Sequence, residues 1–243
     1  MKVTALIVAG GKGLRMKQKI RKQYLNLVDS PVFVHTLRVF DQLNEIDDIC
    51  LVVPETDVDY CRSLILGLPD LKKEIDLAPG GRERQDSVYN GLRVIRATND
   101  REDIVVIHDG VRPFVSPGHI KECISEAGKS GACILGVPAF DTLKRVDMVR
   151  NTDKIGKIDK TVQRDSIWLA QTPQAFKCAL IMEAHESAKA DGYYGTDDAS
   201  LVEYLGHPVK IVCGSKYNIK ITTKEDLLLA EAIFQIINHE SGS

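Results

Sequence analysis

Short apolar runs alternate along this chain with stretches in which apolar positions recur every three or four residues. VTALIVA (3–9), DDICLVV (47–53), EIDLA (74–78), DIVVIHD (103–109) and ACILGVP (132–138) are of the first kind. Strands that are apolar throughout are covered on both faces. The alternation therefore predicts a mostly parallel sheet, its strands joined by right-handed helical crossovers with helices on both sides. In RERQDSVYNGLRVI (82–95), Val88, Leu92 and Ile95 fall on one helical face. Ser30-Pro31 and Ser116-Pro117 each read as an N-cap serine followed by a proline that lacks only a dispensable N–H. After Pro138 the rhythm breaks into short alternating stretches around a polar, glycine-containing centre, which predicts a β-arm over 139–165. Helical spacing returns at 177–191 and 197–206, then strand-like PVKIVCG and NIKIT, then a last helix from Thr222. With no repeat or Pro/Ser-rich linker, the simplest partition is one domain over 1–243 carrying a single excursion.

At 243 residues and 44% hydrophobic content the chain can bury a large core. Its formal net charge of −2 argues against a protein that coats nucleic acid or anionic membrane, which takes a global basic excess. Six cysteines without a C-x-x-C pair suggest neither a zinc site nor a disulfide framework. No run approaches the roughly 18 apolar residues of a membrane span, and MKVTALIVAGG does not read as a leader. A reducing cytoplasm is the expected compartment.

Against that near-neutral background one segment stands out. Six of the eleven residues from Lys12 to Lys22 are Lys or Arg, without an acid among them, and they follow a strand and the glycines Gly10, Gly11 and Gly13. Clustered cations repel one another, and a glycine turn lets backbone N–H groups converge on an anion, so the segment reads as a phosphate site rather than an ordinary turn. A dinucleotide fingerprint starting at Gly11 would put its third glycine at Met16, and no G-x-x-x-x-G-K-[ST] occurs. What remains, G-G-x-G-x-R-M with Lys22 beyond it, suits a nucleoside triphosphate attacked at phosphorus.

AGGKGLRM and KQY, followed in order by GGRERQDSVYNGL, HDGVRPF, DTLKR, LAQTPQAF, TDDASLVE and NIKITT, resemble the 2-C-methyl-D-erythritol 4-phosphate cytidylyltransferase family of isoprenoid biosynthesis across nearly the whole chain. The chain departs from that pattern at Arg21, where proline is common, and at Gly10, where alanine is common. The resemblance implies a Rossmann-like α/β sheet with an inserted β-arm. It places the CTP phosphates on the backbone of Ala9, Gly10, Gly11 and Gly13, with Arg15, Lys22 and Lys220 as catalytic cations. It assigns cytosine and ribose to Gly81, Arg84, Ser87, Asp109 and Gly110. The polyol phosphate would meet Asp109, Arg112 and Thr196, with Thr142 and Arg164 reaching over from the arm of a partner subunit in a homodimer. Mg²⁺ would be bound mainly through the CTP phosphates, with Asp109 the nearest carboxylate.

Read without the resemblance, several of these residues have plainer roles. GGRERQDS and GTDDAS are also helix starts, with Thr196 or Asp197 as cap. Asp109 and Arg112 also form a local ion pair by spacing, and Lys220 reads equally as an exposed lysine. His108 reads as a packing residue rather than a base, and Trp168 as an anchor under the arm. A ribitol 5-phosphate cytidylyltransferase and a nucleotide-binding sensor are the rival functions.

Overall fold

The structure, a computed structural model, describes residues 1–11, 21–96, 100, 103–147 and 156–241. The apolar runs become β1 (Val3–Val8), β4 (Asp48–Val53), β5 (Ile75–Pro79), β6 (Ile104–Asp109) and β7 (Ala132–Pro138). Asn26–Leu27 (β2) and Ser30–Pro31 (β3) form a small antiparallel pair. β10 (Trp168–Lys177) and β11 (Lys210–Cys213) complete a seven-stranded sheet in the order β11-β7-β10-β6-β1-β4-β5. Within it β10 runs antiparallel to both neighbours, and the other pairings are parallel. The mostly parallel sheet expected from the sequence is present, with one reversed strand.

The strands are apolar throughout because both faces are covered. On one side α1 (Val32–Asp41), α2 (Val58–Leu66) and α4 (Pro117–Ser130) pack on Val3, Ala5, Ile7, Leu51 and Val106. On the other, α3 (Arg84–Arg96), α5 (Cys178–Asp191) and α6 (Asp198–Tyr204) cover Leu6, Val52, Val105, Ile107 and Phe176. Val88, Leu92 and Ile95 are all buried on the sheet-facing side of α3, as the helical spacing predicts. A smaller cluster of Leu27, Val32, Val111, Ile221 and Ala230 seats α7 (Lys224–Ser241). β8 (Leu143–Asp147) and β9 (Lys157–Val162) pair antiparallel in a sheet of their own, largely exposed.

Local signals fared unevenly. Ser116 caps α4 by accepting from the His119 N–H at 3.2 Å, with Pro117 in the first turn. Ser30 does not cap α1: it is drawn into β3, and its hydroxyl accepts from Arg38 Nη1 at 3.0 Å. NIKIT is not a strand, although Ile221 N–H donates to the Val111 carbonyl at 3.0 Å and Ile219 and Ile221 still face the core. The last helix begins at Lys224 because Asp226 accepts from the N–H groups of Thr222 and Thr223, at 2.8 and 2.9 Å, and holds them as a cap. Trp168 opens β10 opposite Pro138 and is 38% exposed, too open for the anchor expected of it.

Candidate active site

The glycines gather where the parallel strands end. The Ala9 N–H bonds the Val52 carbonyl at 2.8 Å, Gly80 N–H the Val53 carbonyl at 2.7 Å, and Gly110 N–H the Val8 carbonyl at 2.9 Å. These bonds bring the exits of β1, β4, β5 and β6 side by side, the edge at which open parallel sheets bind ligands. A Cβ on Gly10 would lie 3.3 Å from both the Gly80 Cα and the Ser87 Oγ, so small residues are needed where the two turns touch. Ser87 is buried: its hydroxyl donates to the Glu83 carbonyl at 3.0 Å and accepts from the Gly81 N–H at 2.9 Å. It shapes the Gly80–Gly81 turn.

Beyond the glycines lies a cavity of about 230 Å³ lined by residues from five segments, among them the charged Arg84, Asp109, Arg112 and Lys220. Asp109, 5% exposed, ends β6 and receives all three cations. Arg84 Nε lies 3.2 Å from Oδ1, and Lys220 Nζ and Arg112 Nε lie 2.8 and 3.4 Å from Oδ2. Burial alone would raise the Asp109 carboxyl, but Arg84, Lys220 and Arg112 outweigh it and hold the group far below the usual carboxylate range. Lys220 is therefore no idle surface lysine. Arg112 is steered from its other end, where Nη1 donates to the Asn218 carbonyl at 2.7 Å.

Arg84 also reaches back to Asp198, with Nη1 2.8 Å from Oδ2. Asp198 is 1% exposed, with His185 Nε2 3.4 Å from its other oxygen. Burial raises its pKa, and Arg84 and His185 reverse the effect, so it too stays below the ordinary carboxylate range. Arg84 thus bridges a cavity carboxylate and one behind the wall. His108 fits the packing role expected of it: fully buried against the Phe40 ring, it donates from Nε2 to the Arg112 carbonyl at 3.0 Å. Burial pushes its pKa down to about 4.

Of the sequence candidates, Arg84, Asp109, Arg112, Thr196 and Lys220 meet in this cavity, with Ala9, Gly10, Gly81 and Gly110 at the neighbouring turns. Gly11 lies beside them, its carbonyl held by Gln23. Thr142 and Arg164 do not join the cavity of their own chain: both are exposed on the arm, where Arg164 donates to the Phe140 carbonyl. Gly13 and Arg15 lie outside the described residues, as does the side chain of Lys22, whose backbone is in a 3-10 turn over Lys22–Tyr24.

Sequence reasoning missed the floor of the cavity. Gln171, Thr172, Gln174 and Asp197 line it. Gln174 donates to Asp197 Oδ2 at 2.7 Å and accepts from the N–H groups of Asp198 and Ala199, both at 3.1 Å, satisfying the start of α6. Thr172 Oγ1 accepts from the Asp109 N–H at 3.1 Å. The signal was present in QTPQ, a polar tetrad inside a buried strand whose register shifts between Ala170 and Gln174.

Comparison with known proteins extends this geometry. Residues 3–236 match the family described as IspD, 2-C-methyl-D-erythritol 4-phosphate cytidylyltransferase. The chain is 47% identical to the 2-C-methyl-D-erythritol 4-phosphate cytidylyltransferase of Geotalea uraniireducens over 99% of this chain and 100% of the relative. It is 50% identical to that of Syntrophus aciditrophicus over 96% of each. Among solved structures it resembles the 4-diphosphocytidyl-2C-methyl-D-erythritol synthase of Anaerococcus prevotii, with a TM-score of 0.80 and 33% identity over 96% of each chain. The Francisella tularensis 2-C-methyl-D-erythritol 4-phosphate cytidylyltransferase matches at TM-score 0.79 and 32% identity, over 96% of this chain and 100% of that one. With strand-end glycines, a caged aspartate and a family match over nearly its whole length, the chain belongs to the 2-C-methyl-D-erythritol 4-phosphate cytidylyltransferase family.

Proposed function

We propose that this nucleotidyltransferase joins CTP to 2-C-methyl-D-erythritol 4-phosphate. A phosphate oxygen of the polyol attacks the α-phosphorus in line, the bond from that phosphorus to the bridging β-oxygen breaks, and pyrophosphate leaves. The observation that carries this reading is the convergence of Arg84, Arg112 and Lys220 on Asp109 beside the glycine turns. An incoming phosphate can draw Arg112 and Lys220 from Asp109 without new cations being assembled, which is the preorganisation phosphoryl transfer rewards. The attacking phosphate is already ionised, so no general base is needed, in keeping with His108 being sealed in the core.

In this reading the backbone of Ala9 to Gly13 holds the triphosphate, and Arg15, Lys22 and Lys220 stabilise charge growing at the α-phosphorus. Gly81, Arg84, Ser87, Asp109 and Gly110 hold cytosine and ribose, while Asp109, Arg112 and Thr196 meet the polyol phosphate. Thr142 and Arg164 enter from the arm of a second copy. The exposed Phe140, Val146, Ile158 and Leu169 on and beside the arm support such a dimer.

No three His, Cys, Asp or Glu side chains among the described residues converge as a metal cage. Asp109, the cavity carboxylate at the end of β6, already has cations at both oxygens. The donor set fits a Mg²⁺ carried mainly by the triphosphate oxygens; Asp109 would be the protein group to help hold it, and the ion would supply charge neutralisation for the leaving pyrophosphate. Among the described residues no helix is long and apolar enough to cross a membrane, and five of six free cysteines are buried thiols; a reducing cytoplasm suits both.

Pyrophosphate release measured with each nucleoside triphosphate against methylerythritol phosphate and ribitol 5-phosphate tests the proposal. Turnover confined to CTP with methylerythritol phosphate is expected, and preference for ribitol 5-phosphate or no turnover with either acceptor overturns it.

A further inference from the structure

Arg21 is one of the six cations between Lys12 and Lys22, yet its guanidinium is already engaged. Its Nη1 is ion-paired with Asp57, and Nη2 lies 3.4 Å from the Thr56 hydroxyl. Asp57 ends a 3-10 turn over Glu55–Asp57, directly beyond β4. The carboxylate oxygen that takes Arg21 also accepts the Tyr24 hydroxyl at 2.8 Å, while the Thr56 hydroxyl donates to its second oxygen at 2.9 Å. Tyr24 packs edge-on against Phe33 and Tyr60, with ring centroids 5.8 and 5.5 Å away. Between these two residues, Gln23 is buried and donates to the carbonyls of Ala9 at 2.8 Å and Gly11 at 3.1 Å.

Lys22 therefore sits on a turn tied down on both sides. Gln23 joins that turn to the glycines after β1, and Asp57 joins its flanks to the end of β4. We infer that Asp57 is a positioning residue which, through Arg21 and Tyr24, fixes the backbone of Lys22 relative to the strand ends. The ion pair does here what a proline ring at position 21 would do covalently, since a proline limits backbone freedom at its own position and at the one before it. The pair is partly buried, with 31% and 19% of the two side chains exposed, so it is screened less than a surface pair. Burial opposes ionisation of Asp57, but Tyr24, Thr56 and Arg21 overcome it and keep the carboxyl below its ordinary range.

The inference rests on the catalytic reading of Lys22, and the test separates the two. Steady-state kinetics are compared for Lys22→Met, Arg21→Met, Arg21→Lys, Asp57→Asn and the double variants, with thermal midpoints recorded for each. Displacing a group that acts in the transition state costs turnover, so Arg21→Met and Asp57→Asn should each lower kcat about tenfold or more. KM for CTP should stay near wild type and the thermal midpoint should fall by no more than a few degrees, the modest cost of losing a partly buried pair; Arg21→Lys should retain most of the rate, and Arg21→Met should cost nothing further in Lys22→Met. Wild-type turnover in Lys22→Met sinks the catalytic reading of Lys22, and this inference with it. A loss in Lys22→Met alongside wild-type turnover in Arg21→Met and Asp57→Asn overturns the positioning role alone. So does an equal loss from Arg21→Met whether or not Lys22 is present.

Discussion

Asp109 and His108 are neighbours at the end of β6, and burial treats them in opposite ways. The carboxylate keeps its charge because three cations offset the desolvation, whereas for the imidazole burial outweighs the pull of Asp109 and the Arg112 carbonyl and holds it neutral. Each therefore leaves a mark on stability against pH. His108 has a folded pKa of about 4, below the ordinary value near 6.5. In that window the unfolded chain binds a proton that the folded chain refuses, so stability falls as pH drops from about 6.5 to about 4, by up to about 3 kcal/mol. Asp109 and Asp198 have depressed folded values, so their contribution is complete above the ordinary carboxylate range and is lost at more acid pH. Thermal unfolding across pH should show both losses, and His108→Gln, which keeps a donor for the Arg112 carbonyl, should flatten the first while leaving the second. An unchanged slope in that variant would disprove the assignment. Asp109→Asn leaves Arg84, Arg112 and Lys220 facing one another with a single charge fewer between them. It should cut kcat/KM about a hundredfold or more, a loss that steady-state assays on the folded variant measure directly.

Helix starts separate structural from functional capping. Ser116 satisfies the start of α4 away from the cavity, while Asp197 caps α6 through the Ser200 N–H at 3.0 Å, lines the cavity and holds Gln174. Ser116→Ala should cost about 1 kcal/mol of stability with turnover unchanged. Asp197→Ala should cost a similar amount and also raise KM for the polyol phosphate, which calorimetry and kinetics on the two variants would separate. The same contrast shows what was legible beforehand. β1, β4, β5, β6 and β7 announced themselves because burial on both faces leaves an unbroken apolar run, and α3 because its stripe keeps helical period. Ser30-Pro31 misled because a serine and a proline serve an extended pair as well as a cap, and only the contact with Arg38 decides. NIKIT alternates like a strand, yet its backbone leans on Val111 rather than on a ladder. The cavity floor was hidden for another reason: Gln171, Thr172 and Gln174 acquire their roles from residues that are distant in sequence, such as Asn218 and Asp198. The Asp57 tie to Arg21 spans 36 residues and has no local pattern at all.

At the scale of the whole molecule, the cavity is built by segments far apart in the chain, from Arg84 to Lys220, but the arm residues that the family resemblance assigns to it are absent from its lining. Arg164 is exposed and bonded to its own arm at Phe140, and Thr142 is exposed beside it. If both act on the polyol phosphate, they do so from another copy, and each complete site then needs one chain's cavity and the other chain's arm. Such a requirement has a signature that affinity constants alone lack. Arg164→Ala spoils the arm and Arg112→Ala spoils the cavity, so each variant should be nearly inactive alone. Mixed and allowed to exchange subunits at equal amounts, half of the dimers carry one of each chain, and in those dimers one site of the two regains an intact cavity with an intact arm. Activity should then recover to about a quarter of wild type. A site completed within a single chain gives no recovery at any ratio, because every cavity keeps its own defective partner. With one variant carrying a mass tag, native mass spectrometry counts the mixed dimers, and the recovered activity per mixed dimer then reads the topology of the active site directly.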